Sequence, residues 1–206
     1  MIIINFKTYK EATGKNALKL AKLVNKDTYL AVQPTDIYQI SKSSKAKVLA
    51  QHTDNATYGR YTGSITPEAI KAAGAVGTLL NHSEKKIKNL KEIINKCKKL
   101  KLITIVCSKN LKETKKIIKL NPDYIAFEIP ELIATGKGIS TYKPKSVKKF
   151  VKLLKNTKIK PLCGSGISTK EDFKAALDLG TKGILLSSYF VKSKNPKKFL
   201  KELKNA

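Results

Sequence analysis

The feature that most constrains this chain is an alternation, repeated eight times, of short apolar runs with longer amphipathic stretches. The runs are Ile2–Phe6, Tyr29–Val32, Lys47–Gln51, Val76–Asn81, Leu102–Cys107, Tyr124–Glu128, Lys160–Gly164 and Gly183–Ser187. They are rich in β-branched residues and read as continuous apolar segments, the pattern of strands buried on both faces. Helical periodicity fills most of the intervals, over Lys15–Asn25, Pro67–Ala73, Lys85–Lys99, Leu111–Leu120, Lys145–Leu154, Lys170–Leu179 and Pro196–Lys204. The segment Asp36–Lys42 is short and only weakly helical. Several helix starts carry caps: Ser168 with Glu171 has capping-box spacing, and Thr66 and Asn195 each precede a proline. Strand–helix units in this number predict parallel crossovers and a closed (β/α)8 barrel, one compact domain over residues 1–206 with shortened helices. The competing arrangement is an open doubly wound sheet. Its Gly-rich fingerprint is missing after the first strand, where Asn5, Phe6 and Lys7 stand instead.

Charge narrows the functional classes less than it first promises. The chain has 42 Lys+Arg against 15 Asp+Glu, a formal net charge of +27, and Arg60 is its one arginine. Readers of nucleic-acid bases favour arginine for forked contacts. Between Lys85 and Leu100 the lysines lie mostly off the apolar stripe of Ile87, Leu90, Ile94 and Cys97, as on a solvated helix face. A lysine-rich surface of biased composition, nonspecific nucleic-acid binding, and steering of an anionic substrate all fit this charge. No run approaches the roughly 20 apolar residues of a membrane span. The start of the chain turns polar too soon for a signal peptide. Three unpaired cysteines, Cys97, Cys107 and Cys163, point to a reducing cytoplasm rather than a disulfide scaffold or a zinc site.

A barrel puts function at the C-terminal ends of its strands. After the first strand stand Asn5 and Lys7, the lysine placed for an anion at the barrel mouth. After the fourth stand Asn81, His82, Ser83 and Glu84. A following helix N-terminus disfavours positive charge and so favours a neutral imidazole. His52, after the third strand, is the competing histidine. Glu128 ends the apolar sixth strand, where a carboxylate is costly unless paired or useful. Pro130 through Gly136 then have the makeup of a lid, with a stiff start, an apolar Leu132–Ile133 tip and small Ala134, Thr135 and Gly136 at its end. Cys163, Gly164, Ser165 and Gly166 follow the seventh strand, and Ser187 and Ser188 the eighth, where small residues let backbone N–H groups approach a phosphate. Taken singly, each has a plain structural reading: a surface lysine, a satisfied histidine, a salt-bridged glutamate, a turn.

Taken in order along the whole chain, these segments resemble the triosephosphate isomerase family in its compact archaeal form. The resemblance rests on Asn5-Phe6-Lys7, on Asn81-His82-Ser83-Glu84, on Glu128 with Pro130–Gly136, on Cys163-Gly164-Ser165-Gly166 and on Leu185-Leu186-Ser187-Ser188. It implies interconversion of dihydroxyacetone phosphate and glyceraldehyde 3-phosphate through an enediolate, in glycolysis and gluconeogenesis. Glu128 is then the base, His82 a neutral electrophile of the kind this family usually illustrates, and Lys7 the cation. Asn5 would help to position Lys7, and Gly136, Gly164, Ser165, Ser187 and Ser188 would hold the phosphate. Glu84 would orient the site or link to Lys7. The resemblance calls for no metal or organic cofactor. It implies a cytoplasmic homodimer or homotetramer, with the loop Thr53–Gly63 and its Tyr58 and Tyr61 at a dimer contact. Three positions depart from the family's common pattern: Ile129 stands where proline is usual, Asn81 where glycine is usual, and Ser187-Ser188 where Gly-Gly is frequent. Alternatives are another phosphate-binding barrel enzyme, an aldolase or epimerase, or a basic nucleic-acid-binding protein. The first lacks a lysine inside a strand or a cluster of metal ligands.

Overall fold

In the computed structural model, which describes residues 1–133 and 135–204, eight parallel strands close into a barrel in sequence order. They are β1 (Ile2–Asn5), β2 (Thr28–Val32), β3 (Lys47–Ala50), β4 (Gly77–Leu80), β5 (Ile103–Ser108), β6 (Tyr124–Phe127), β7 (Lys160–Cys163) and β8 (Ile184–Leu186), with β8 pairing back to β1. The apolar runs are continuous because both strand faces are buried. Ile3, Ala31, Leu49, Leu79, Ile105, Ala126, Leu162 and Leu185, one from each strand, fill the barrel interior. Their neighbours Ile2, Ile4, Leu30, Val32, Val106 and Phe127 face the helices. Period two along each strand therefore alternates one apolar core with another.

The outer layer comprises α1 (Lys15–Ala21), α2 (Ile37–Ser43), α3 (Pro67–Ala72), α4 (Leu90–Lys99), α5 (Leu111–Ile118), α6 (Ile139–Tyr142), α7 (Pro144–Leu154), α8 (Lys170–Asp178), α9 (Ser188–Val191) and α10 (Pro196–Lys204). On α4 the residues Leu90, Ile93, Ile94 and Cys97 are buried, while Lys91, Lys98 and Lys99 are exposed. On α7, Phe150 stacks on Phe127 of the barrel with ring centroids 4.9 Å apart. None of the helices among the described residues is long and apolar enough to cross a membrane.

Several boundaries correct the sequence reading. The helix expected from Lys85 begins only at Leu90. The Asn81 side chain accepts the Ile87 N–H at 3.4 Å, and Lys86 reaches the Asn81 carbonyl at 3.2 Å, so this stretch serves the preceding loop. The capping box on α8 is shifted by one residue: Thr169 caps and Asp172 reciprocates. Ser168 is drawn away because its hydroxyl donates to Asp172 and to the Gly136 carbonyl. The caps at Thr66 and Asn195 stand, accepting from Ala69 N–H at 3.1 Å and Lys198 N–H at 3.0 Å. Two short helices, α6 and α9, and the 3₁₀ turn Pro130–Leu132 had no signal of their own. Ala134 of the expected lid, and Asn205 and Ala206, lie outside the described residues.

Candidate active site

At the C-terminal mouth a small cavity is lined by residues from the ends of β1, β4, β6 and the loops after β7 and β8. Asn5, Lys7, His82, Glu128, Ser165, Ser187 and Ser188 all border it. The barrel brings together residues from both ends of the chain, since Asn5 and Ser188 share its wall.

Lys7 leaves β1 with φ +47°, a left-handed conformation that costs a lysine on the order of 1–3 kcal/mol. Two bonds hold it there. Its N–H donates to Asn5 Oδ1 at 3.0 Å, and Gln51 donates to its carbonyl at 2.9 Å. The ammonium meets Glu84 Oε1 at 2.5 Å, joining the first and fourth strand ends. Glu84 is thus linked to Lys7.

His82 is buried, and its Nδ1 accepts the backbone N–H of Glu84 at 3.2 Å. An N–H donor requires a lone pair at Nδ1, so this contact goes with the tautomer that carries its proton on Nε2. That Nε2 lies 3.7 Å from Glu128 Oε2, too far for a hydrogen bond and close enough for both to face one small ligand. Asn81, just before it, has φ +58°. Asparagine is among the side chains that tolerate this region best, which explains how it replaces a glycine. Its amide donates to the Cys107 carbonyl at 3.0 Å and to Glu113 at 3.1 Å. Burial alone would raise the Glu113 pKa. The Lys109 N–H, Asn81 and Lys86 outweigh it and hold the carboxyl below its ordinary value.

Glu128 is buried, with its N–H tied to the Ser108 carbonyl at 2.9 Å. Its Oε2 has no hydrogen-bond partner among the described residues. Beneath it burial pushes the Cys107 thiol far up, and the Glu128 carboxylate beside it adds to the shift. Ile129 is held extended, φ −92° and ψ 113°, by the proline that follows it. The stiffness of a proline is therefore supplied from one position later. Ile133, in the segment expected to be a lid, lines the cavity.

The loops after β7 and β8 are built on backbone. Ser165 adopts φ +67°, and the hydroxyls of Ser165 and Ser187 are buried without partners among the described residues. Ser188 opens the short helix α9. Gly164 and Gly136 do not border this cavity. The Gly164 N–H is spent on the Phe127 carbonyl at 2.9 Å. A Cβ on Gly164 would come within 2.6 Å of Glu128 Cγ, so this glycine provides room for the carboxylate rather than a donor for an anion. Gly136 packs against the Tyr189 hydroxyl, and Gly166 against the Lys137 and Leu132 carbonyls, which sets the segment of the expected lid against the β7 loop.

His52, the competing histidine, pairs with Asp54 at 2.9 Å. Asp54 and Thr53 in turn bond to Ile65 and close the base of the loop that carries the exposed Tyr58 and Tyr61. Tyr9 and Tyr189 also line the cavity and were missed. Tyr189 follows Ser188 directly, and the short helix that carries it is a recurring phosphate device of this fold. Among the described residues, no group of three or more His, Cys, Asp or Glu is gathered to hold a metal ion.

The profile of the triosephosphate isomerase family matches residues 1–205. The triosephosphate isomerase of Methanobacterium bryantii is 45% identical over 214 aligned positions, covering 98% of this chain and 95% of that protein. That of Methanocaldococcus jannaschii is 45% identical, covering 98% of each. That of Archaeoglobus fulgidus is 40% identical, covering 98% and 96%.

Proposed function

The chain belongs to the triosephosphate isomerase family, and we propose that it interconverts dihydroxyacetone phosphate and D-glyceraldehyde 3-phosphate with Glu128 as base, His82 as neutral electrophile and Lys7 as cation. One observation carries this assignment of roles. Three of the five buried side-chain polar atoms that lack partners among the described residues, Glu128 Oε2, Ser165 Oγ and Ser187 Oγ, belong to residues of this one cavity. Buried polar atoms are costly to leave unpaired, so their clustering marks where a polar ligand supplies the missing bonds.

Glu128 Oε2 removes a proton from the carbon beside the substrate carbonyl and returns it to the neighbouring carbon. The Nε2–H of His82 donates to the oxygens that gain charge in the enediolate. The Lys7 ammonium, oriented by Glu84 and Asn5, stabilises the same charge. Ser165, Ser187 and Ser188 hold the phosphate through hydroxyl and backbone N–H groups. Gly164 clears space for the base, and Gly136 seats the lid against Tyr189. Ile133 and its neighbours exclude water from the enediolate, a loop closure for which triosephosphate isomerase is itself a usual illustration.

The same reading makes the chain one cytoplasmic domain of glycolysis and gluconeogenesis. It assembles as a dimer or tetramer through the 53–63 loop, whose Tyr58 is 76% exposed in the single chain. Sedimentation of the wild type beside a Tyr58→Glu, Tyr61→Glu variant tests that assembly, and an unchanged oligomer excludes the loop. Isomerisation of glyceraldehyde 3-phosphate, coupled to a dehydrogenase that consumes dihydroxyacetone phosphate, tests the reaction. Rapid wild-type turnover that collapses in Glu128→Gln is expected. Undiminished turnover in the variant removes Glu128 from the role.

A further inference from the structure

Glu113 lies on α5, outside the substrate cavity, yet its carboxylate reaches the turn that carries His82. Its two oxygens serve different neighbours. Oε2 accepts the Lys109 N–H at 2.7 Å, at the start of its own helix. Oε1 accepts from the Asn81 amide and the Lys86 ammonium, at 3.1 Å each. Lys86 also reaches the Asn81 carbonyl at 3.2 Å, so Asn81, Lys86 and Glu113 close a ring. The start of α5 does not need Oε1, because the Asn110 side chain caps it by accepting the Glu113 N–H at 2.8 Å. Against its burial, which favours the neutral acid, these donors keep Glu113 ionised at neutral pH.

Two features show that the ring is kept against local preference. Asn81 holds φ +58°, a conformation that persists only where neighbours over-determine it. The stretch from Lys85 to Asn89 forgoes the helix that its periodicity favours, and its Ile87 N–H and Lys86 ammonium go to Asn81 instead. What the ring fixes is the direction in which the chain leaves β4, and His82 is the next residue. Among the described residues the His82 ring takes one hydrogen bond, from the Glu84 N–H at 3.2 Å, so its aim follows the course of this backbone. Asn81 also donates to the Cys107 carbonyl at 3.0 Å, which ties the turn to β5 beside Glu128. We propose that Glu113 is a positioning residue of the isomerase, holding the His82 ring in its working orientation through Asn81. The inference rests on the electrophile's role given to His82 above.

The test is a double-mutant cycle in kcat and KM, with Glu113→Gln, Asn81→Gly and the pair. A glutamine that keeps the Lys109 bond turns its NH2 toward Asn81 and Lys86, donor against donor, so the ring opens without loss of side-chain size. Glu113→Gln should lower kcat about tenfold, with KM within about twofold of wild type. Glycine takes the left-handed turn with no side-chain partner. In the Asn81→Gly background, Glu113→Gln should therefore cost less than about twofold in kcat. Ring ¹⁵N NMR reads position without turnover. The chain has two histidines, and in Glu113→Gln the His82 resonances should move while those of His52, held by Asp54, stay. A lower melting temperature with kcat and the His82 resonances unchanged would overturn the inference and leave Glu113 a stabiliser of the fold. So would an equal loss of kcat in both backgrounds, which would place its action elsewhere than Asn81. His82→Gln is measured in parallel. If that variant loses its turnover, either result overturns this inference alone; if it keeps wild-type kcat, the role of His82 falls and this inference with it.

Discussion

The two ends of the substrate cavity are built by different means. At the end facing Glu128, His82 and Lys7, identity of the side chain is everything, and Lys7 and His82 are each held by a specific partner. Glu84 supplies two of those partners, its carboxylate for Lys7 and its backbone N–H for His82. At the other end, Ser165, Ser187 and Ser188 present small side chains on bent backbone. There the shape of the loop matters more than the residue, which is how two serines can stand where paired glycines are frequent. Substitutions at the first end should therefore act on kcat, and at the second on KM.

The largest effect belongs to Glu128→Gln, which keeps the shape and removes the base; kcat should fall about 10³-fold. His82→Gln removes the preorganised Nε2 donor and should cost about 10²–10³-fold in kcat with KM little changed. Gly164→Ala sharpens the comparison, because it touches no substrate. Its added methyl would meet Glu128 Cγ and displace the base, for a loss of about 10²-fold in kcat without loss of the fold on thermal denaturation. Ser165→Ala and Ser187→Ala should raise KM by about tenfold or less, one hydrogen bond each, and leave kcat near wild type. A large kcat effect from either serine would break the division between the two ends.

The smallest effect is on stability. Glu113 titrates below its ordinary value of 4.5 in the folded chain. The unfolded chain therefore binds the proton first as pH falls, so Glu113 stabilises above pH 4.5 and loses that contribution as pH drops through the folded value. Thermal melts of Glu113→Gln should show lower stability at neutral pH and a flatter acid limb than wild type.

The contrast between the ends also explains what was legible in the sequence. Lys7, His82 and Glu128 were legible only as an ordered set: singly each has a plain structural reading, and together they fall on the ends of three different strands. The closed barrel followed from eight continuous apolar runs. The closeness of Gly164 to Glu128 carried no signal, since a glycine beside a phosphate loop and a glycine beneath a carboxylate look the same until the neighbouring strand is in place. The start of α4 was misread because Asn81, in a left-handed turn, captures the Ile87 amide that helical periodicity assigned to the helix. The capping box slipped by one residue because Ser168 bonds across to Gly136 on the lid, a contact no local pattern contains.

The account turns on Glu128 moving a substrate proton. The direct measurement is deuterium incorporation into dihydroxyacetone phosphate incubated in heavy water, followed by proton NMR with wild type and with Glu128→Gln. The expected result is rapid exchange of one carbon-bound proton with the wild type and exchange slowed about 10³-fold with the variant. Exchange at the wild-type rate in Glu128→Gln would contradict the account and move the base elsewhere in the cavity.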